Sequence, residues 1–82
     1  METANKNLAQ LKIGQLAIID SFTDKLMALK LLEMGCTPGE LVKIDRIAPL
    51  GDPIAINVSG YMLCLRKAEA STILVSLLTT NI

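Results

Sequence analysis

The chain has no histidine and no tryptophan, and its aromatic side chains are Phe22 and Tyr61. Without histidine it lacks the commonest general base near neutral pH and the commonest transition-metal ligand. Most enzymatic readings fall at that point. Two scattered aromatics also cannot build a platform on which nucleobases stack. Charge of one sign is missing as well: eight Lys+Arg against eight Asp+Glu give a formal net charge of +0. A chain without cationic excess gains little from releasing counterions off a phosphate backbone, so nucleic acid is not an expected partner. Cys36 and Cys64 lie far apart and match no paired-ligand spacing. The first residues, Met1 to Lys6, contain no apolar stretch of the kind found in secretory signals. The most apolar run, Ile73 to Leu78, is far shorter than the ~20 residues that span a bilayer. These features predict a cytoplasmic chain with free thiols and no direct insertion into a membrane.

What is present is aliphatic. Of the 82 residues, 51% are hydrophobic and 2% aromatic, with a mean hydropathy of +0.48. The core must therefore be built from Leu, Ile, Val, Met and Ala, and disorder is excluded. A chain of this length forms one domain, and the polar, unpatterned residues 1–7 read as a frayed tail before a single domain over 8–82. High apolar content with no net charge favours a protein that spends time docked to something.

Leu16 to Phe22 reads as a first strand, and Thr23 or Asp24 can cap the helix that follows. Leu26 to Met34 is a run of good helix formers with Lys25, Lys30 and Glu33 spaced to face water. Gly35 stands where a helix end favours positive φ, and Pro38-Gly39 prevents continuation. Leu41 to Ala48, Ile54 to Val58, Tyr61 to Arg66 and Ile73 to Leu77 supply four more strands, separated by the turns Pro49-Leu50-Gly51-Asp52-Pro53 and Ser59-Gly60 and by a 3₁₀ turn over Lys67-Ala68-Glu69-Ala70. Ile54, Ile56 and Val58 share one face; Leu63 and Leu65 point inward with Cys64 opposite. The pattern predicts a mainly β fold: a small SH3-like antiparallel barrel of about five strands with one α-helix after the first strand, closed so that no edge is exposed.

The segment Lys30-Leu31-Leu32-Glu33-Met34-Gly35-Cys36-Thr37-Pro38-Gly39 resembles the FeoA family pattern Arg-Leu-Leu-Glu-Met-Gly-Leu-x-Pro-Gly. The likeness continues through Ala48-Pro49-Leu50-Gly51-Asp52-Pro53-Ile54, Leu63-x-Leu65-Arg66-Lys67-x-Glu69-Ala70 and Ile73-x-Val75, in the family's order. It covers the chain from about Leu8 to Val75. Lys30 and Cys36 stand where the family usually carries Arg and Leu; lysine cannot make the planar bidentate contacts of arginine. The resemblance implies a small cytosolic SH3-like accessory protein of ferrous-iron uptake that works with the membrane transporter FeoB, whose cytosolic part binds GTP. It would then lie at the inner membrane only through that partner. FeoA-like domains also end metal-dependent repressors, but this chain carries no helix-turn-helix or metal-sensing core, so a free-standing member is the closer fit.

The residues expected to meet a partner are Leu50, Asp52 and Tyr61, with Arg66 as an electrostatic anchor. Each has a plainer reading. Gly51, Asp52 and the flanking prolines make a tight reversal by themselves, and Leu50 is what turn geometry leaves unexplained. Arg66 can pair with Glu69 three residues on, and Tyr61 can pack half-buried over a turn. Exposed parts of Leu26, Met27 and Met34 can form a docking groove with the barrel. The expected function is non-enzymatic: binding FeoB and modulating its activity or assembly, without a cofactor or resident metal and with room for weak self-association. One alternative is direct Fe²⁺ handling through Cys36, Cys64 and nearby carboxylates. The other is a free-standing regulatory domain like the repressor C-terminus, although scarce aromatics disfavour a polyproline groove.

Overall fold

In a computed structural model, residues 6–78 are described. The strands are β1 (Lys6–Asn7), β2 (Leu16–Phe22), β3 (Leu41–Ile47), β4 (Ile54–Val58), β5 (Tyr61–Leu65) and β6 (Ile73–Leu77). A 3₁₀ turn, Leu8–Gln10, follows β1; the helices are α1 (Lys25–Glu33) and α2 (Lys67–Ala70). All strand pairs are antiparallel, in the order β1-β6-β2-β3-β4-β5.

Three expectations change. There are six strands, because Lys6 and Asn7 pair with Val75 and Leu74; of the anticipated tail, residues 1–5 lie outside the described residues. The segment Lys67–Ala70 is a short α-helix in place of a 3₁₀ turn. The barrel is not closed by hydrogen bonds, since β1 and β5 are the ends of the sheet and do not pair. Instead α2 packs against β5 and the 3₁₀ turn, covering the gap that strand pairing leaves.

Local chemistry explains each boundary. The Asp24 carboxylate accepts from the Met27 N–H at 3.0 Å, satisfying one free donor of the first turn of α1. At the other end Gly35 adopts φ +104°. The Gly35 N–H then donates to the Leu32 carbonyl at 3.1 Å and the Cys36 N–H to the Leu31 carbonyl at 2.9 Å, the paired bonds of a Schellman ending. That ending is normally sealed by an apolar contact between the two outer positions; here Leu31 and Cys36 are both fully buried in one core cluster. Cys36 is thus a helix-sealing apolar residue, and burial pushes its thiol pKa up.

The β4–β5 reversal has positive φ at both Ser59 (48°) and Gly60 (95°), the geometry of a tight hairpin whose twist matches its strands. The Asn57 carboxamide oxygen accepts from the Gly60 N–H at 2.9 Å. Pairing then stacks Ile44, Ile56 and Leu63 in one row and Ile47, Ile54 and Leu65 in another. These rows join Ala17, Ile19, Ile73, Val75, Leu8 and Leu31 in an aliphatic core, against which Phe22 packs partly buried.

Two bulges break the alternation. The β2–β6 register shifts between Ile19 and Ser21, and the β3–β4 register shifts between Ile44 and Arg46. The second has a clear consequence. Val42 and Ile44 are buried, so strict alternation would turn Arg46 into the core. The extra residue, Asp45, resets the phase: Arg46 pairs with Ala55 on the outer face and Ile47 returns to the inner one.

No atom would lie within 4 Å of a Cβ added at Gly35, so Gly35→Ala tests backbone strain alone. We expect a loss of about 1–2 kcal/mol in urea unfolding, the cost of a left-handed L-residue, with unchanged native circular dichroism.

Candidate functional site

The four expected contact residues fall at the two ends of one hairpin. β4 and β5 run side by side, with Ile54 opposite Leu65 and Val58 opposite Tyr61. The loop bearing Leu50 and Asp52 enters at Ile54, beside Arg66, whereas Tyr61 sits at the turn, roughly 13 Å away along the strand. Leu50, Asp52 and Arg66 can therefore share a contact; Tyr61 belongs to another region.

The loop is held by its backbone. The Gly51 N–H donates to the Ala48 carbonyl at 2.7 Å and the Ala48 N–H to the Pro53 carbonyl at 3.1 Å. Asp52 is exposed yet braces the fold, its Oδ1 accepting from the Lys67 N–H at 2.9 Å, a free donor at the start of α2. Leu50 is left at the tip, 95% exposed. Nothing among the described residues explains so exposed a leucine. Tyr61 is also open, at 76%, in place of the half-buried packing that was one of its readings.

Arg66 does not make the expected ion pair with Glu69. Its backbone N–H donates to Glu69 Oε1 at 2.9 Å, while Oε2 takes Lys30 Nζ at 2.6 Å. The Lys30 hydrogen bond, then the Arg66 N–H, hold the Glu69 carboxyl below the usual carboxylate range against the opposing cost of burial. Lys30 thus joins the first resembling motif to the third, tying α1 to α2 through a single point charge where bidentate geometry is not needed.

A shallow concavity of about 220 Å³ on the outer face is lined by Arg46, Ala48, Pro53, Ala55 and Cys64. Sequence reasoning missed Arg46, because only the Asp45 bulge turns it outward to Ala55 and Cys64. The helix stripe also differs: Leu26, Leu29 and Leu32 are exposed, while Met27 and Met34 pack on the core. Cys36 and Cys64 occupy separate places, one buried and one exposed. No group of three His, Cys, Asp or Glu side chains is placed to hold a metal among the described residues.

The open six-stranded antiparallel sheet, with one capped helix after β2 and an exposed loop between β3 and β4, defines a small SH3-like domain. The FeoA domain model matches residues 6–77, and the chain belongs to the FeoA family. It is 31% identical over 75 residues to an Fe(2+) transport protein A/Fe(2+) transporter FeoB fusion protein of Porphyromonas gingivalis. That match covers 90% of this chain but spans only 9% of the fusion protein's length. An FeoA-like protein of Clostridium acetobutylicum superimposes with a TM-score of 0.88 at 33% identity, covering 98% of this chain and 94% of that one. The zinc-complexed FeoA of Stenotrophomonas maltophilia, an SH3 domain protein, gives 0.74 at 28% identity over 84% and 87% of the two chains. The family is associated with ferrous iron transport as an accessory domain. No described helix is long and apolar enough to cross a membrane.

Two expectations follow. Asp52→Ala removes an acceptor at the start of α2 and lowers stability by about 0.5–2 kcal/mol in thermal unfolding, whereas Leu50→Ala stays within about 0.5 kcal/mol. Because the pKa of Glu69 is lowered on folding, its contribution is complete above the ordinary carboxylate range and is lost as the pH falls through the lowered value. Urea midpoints of the parent chain therefore decline on acidification below that range. Glu69→Gln starts lower at neutral pH and declines less.

Proposed function

We propose that this chain is a non-enzymatic, cytoplasmic accessory protein that binds the cytosolic portion of a FeoB-type ferrous-iron transporter and modulates its activity or assembly. The observation that carries the reading is Leu50, a large aliphatic side chain held at 95% exposure by a loop whose polar groups are engaged by its own backbone and by α2. A rigid loop presenting an apolar tip suits docking, since the ordering cost of the loop is met before binding. Fusion of an FeoA-type segment to FeoB in the Porphyromonas gingivalis relative supports the choice of partner.

The residue roles are then unequal. Leu50 is the apolar anchor, Arg66 supplies charge beside it, and Asp52 positions the loop through Lys67. Tyr61 lies at the far end of β5 and forms a separate contact. Binding changes transport only to the extent that this surface prefers one transporter conformation over another.

The test is co-purification and affinity measurement with the transporter's cytosolic portion, with and without guanine nucleotide. Leu50→Asp should weaken binding by roughly tenfold or more, as loss of an interface anchor does, without moving the unfolding midpoint. Parent-like affinity for Leu50→Asp would overturn the assignment of the loop. Failure of the parent chain to bind in either nucleotide state would overturn the choice of partner.

A further inference from the structure

The two ends of the sheet are built differently. Among the described residues β1 opens with Lys6, and natural proteins use charged side chains, lysine above all, to keep an edge from pairing further. β5, Tyr61-Met62-Leu63-Cys64-Leu65, has five residues with no charge and no proline. It is the other end of the sheet, and nothing in its sequence blocks another strand.

Its free polar groups can be assigned. The residues flanking a two-residue turn exchange both hydrogen bonds, and the pattern then alternates. With Val58 opposite Tyr61, Ile56 opposite Leu63 and Ile54 opposite Leu65, those three β5 residues bond to β4. The N–H and C=O groups of Met62 and Cys64 point away from it. No other backbone or side-chain partner takes them among the described residues. Met62 is 61% exposed and Cys64 is exposed, so their side chains leave the edge open.

We infer that β5 is a self-association edge: two copies of this chain pair β5 to β5 antiparallel about a twofold axis at Leu63. In that register Met62 of each copy lies opposite Cys64 of the other, and four N–H to C=O bonds satisfy every free group on both edges. The symmetry is isologous and closes at two copies. Charge selects a second copy over an arbitrary strand. Arg66 and Lys67 follow β5 at one end, while at the other Ser59 donates to the Glu40 carboxylate. Antiparallel pairing brings the Arg66–Lys67 end of each copy toward the Glu40 end of its mate, twice over, and places no like charges opposite each other along the strand.

The full chain is tested by sedimentation equilibrium from micromolar to millimolar concentration. The expected result is a reversible rise from 8.8 kDa toward twice that mass, abolished by Met62→Lys with native circular dichroism retained. Register is read separately. Hydrogen-bonded antiparallel partners have Cα atoms about 5.5 Å apart, within the range a disulfide bridges. Met62→Cys should therefore oxidise to a covalent dimer through Cys64 of the second copy, and Met62→Cys with Cys64→Ser should not. A parent chain that stays monomeric throughout overturns the inference, as does a dimer indifferent to Met62→Lys. A Met62→Cys chain that gives no Cys64-dependent dimer overturns the register.

Discussion

A small aliphatic core behind a sheet that does not close needs a cover, and Glu69 holds that cover in place. Glu69 is nearly buried, its side chain 12% exposed, and a charge in that position is tolerated only when its oxygens are occupied. Both are: one by the N–H that precedes α2, the other by Lys30 of α1. Asp52 adds a third anchor from the β3–β4 loop. The four-residue α2 is too short to be stable alone, yet it is fixed from three sides. With α2 in place, β5 needs no pairing with β1 for the core to stay dry, and the rest of β5 is free to face outward.

The same economy accounts for much of the family likeness. Gly35, Asp52 and Glu69 match the family in the resembling segments, and each serves the architecture: a helix ending, a distant cap and a buried acceptor; Lys30, where the family usually carries Arg, supplies the ion pair. Cys36 also serves the architecture, with a thiol where the family usually has leucine, because the position takes an apolar side chain opposite Leu31. Leu50 is the exception in these segments, since the loop around it would close equally well without it. Leu50 is thus a side chain that the fold supports and does not use.

The outer face of the β3-β4-β5 sheet owes its character to one inserted residue. Without the bulge at Asp45, Arg46 would be driven toward Ile44 and Ile56, and a lone guanidinium has no acid to meet there. With it, the cation moves to the rim of an otherwise apolar hollow beside Cys64.

Helix α1 and the strands from Leu16 onward were legible because their signals are local. A cap at Thr23 or Asp24, a left-handed Gly35, the Ser59-Gly60 reversal and the period-two pattern of Ile54, Ile56 and Val58 each involve neighbours a few residues apart. Leu50 was also visible as a residue that turn geometry does not require, whereas packing of Tyr61 over the turn stayed an open reading until the structure left it 76% exposed. What the tertiary structure alone decided was long-range: Lys6 and Asn7 joining β6, the ends of the sheet remaining apart, Glu69 choosing Lys30 over Arg66, and Asp52 reaching Lys67. A linear pattern shows which faces are apolar, because periodicity is written in adjacent residues. It does not show which distant group satisfies a buried charge or a free N–H, since that depends on distances set only once the chain has closed on itself.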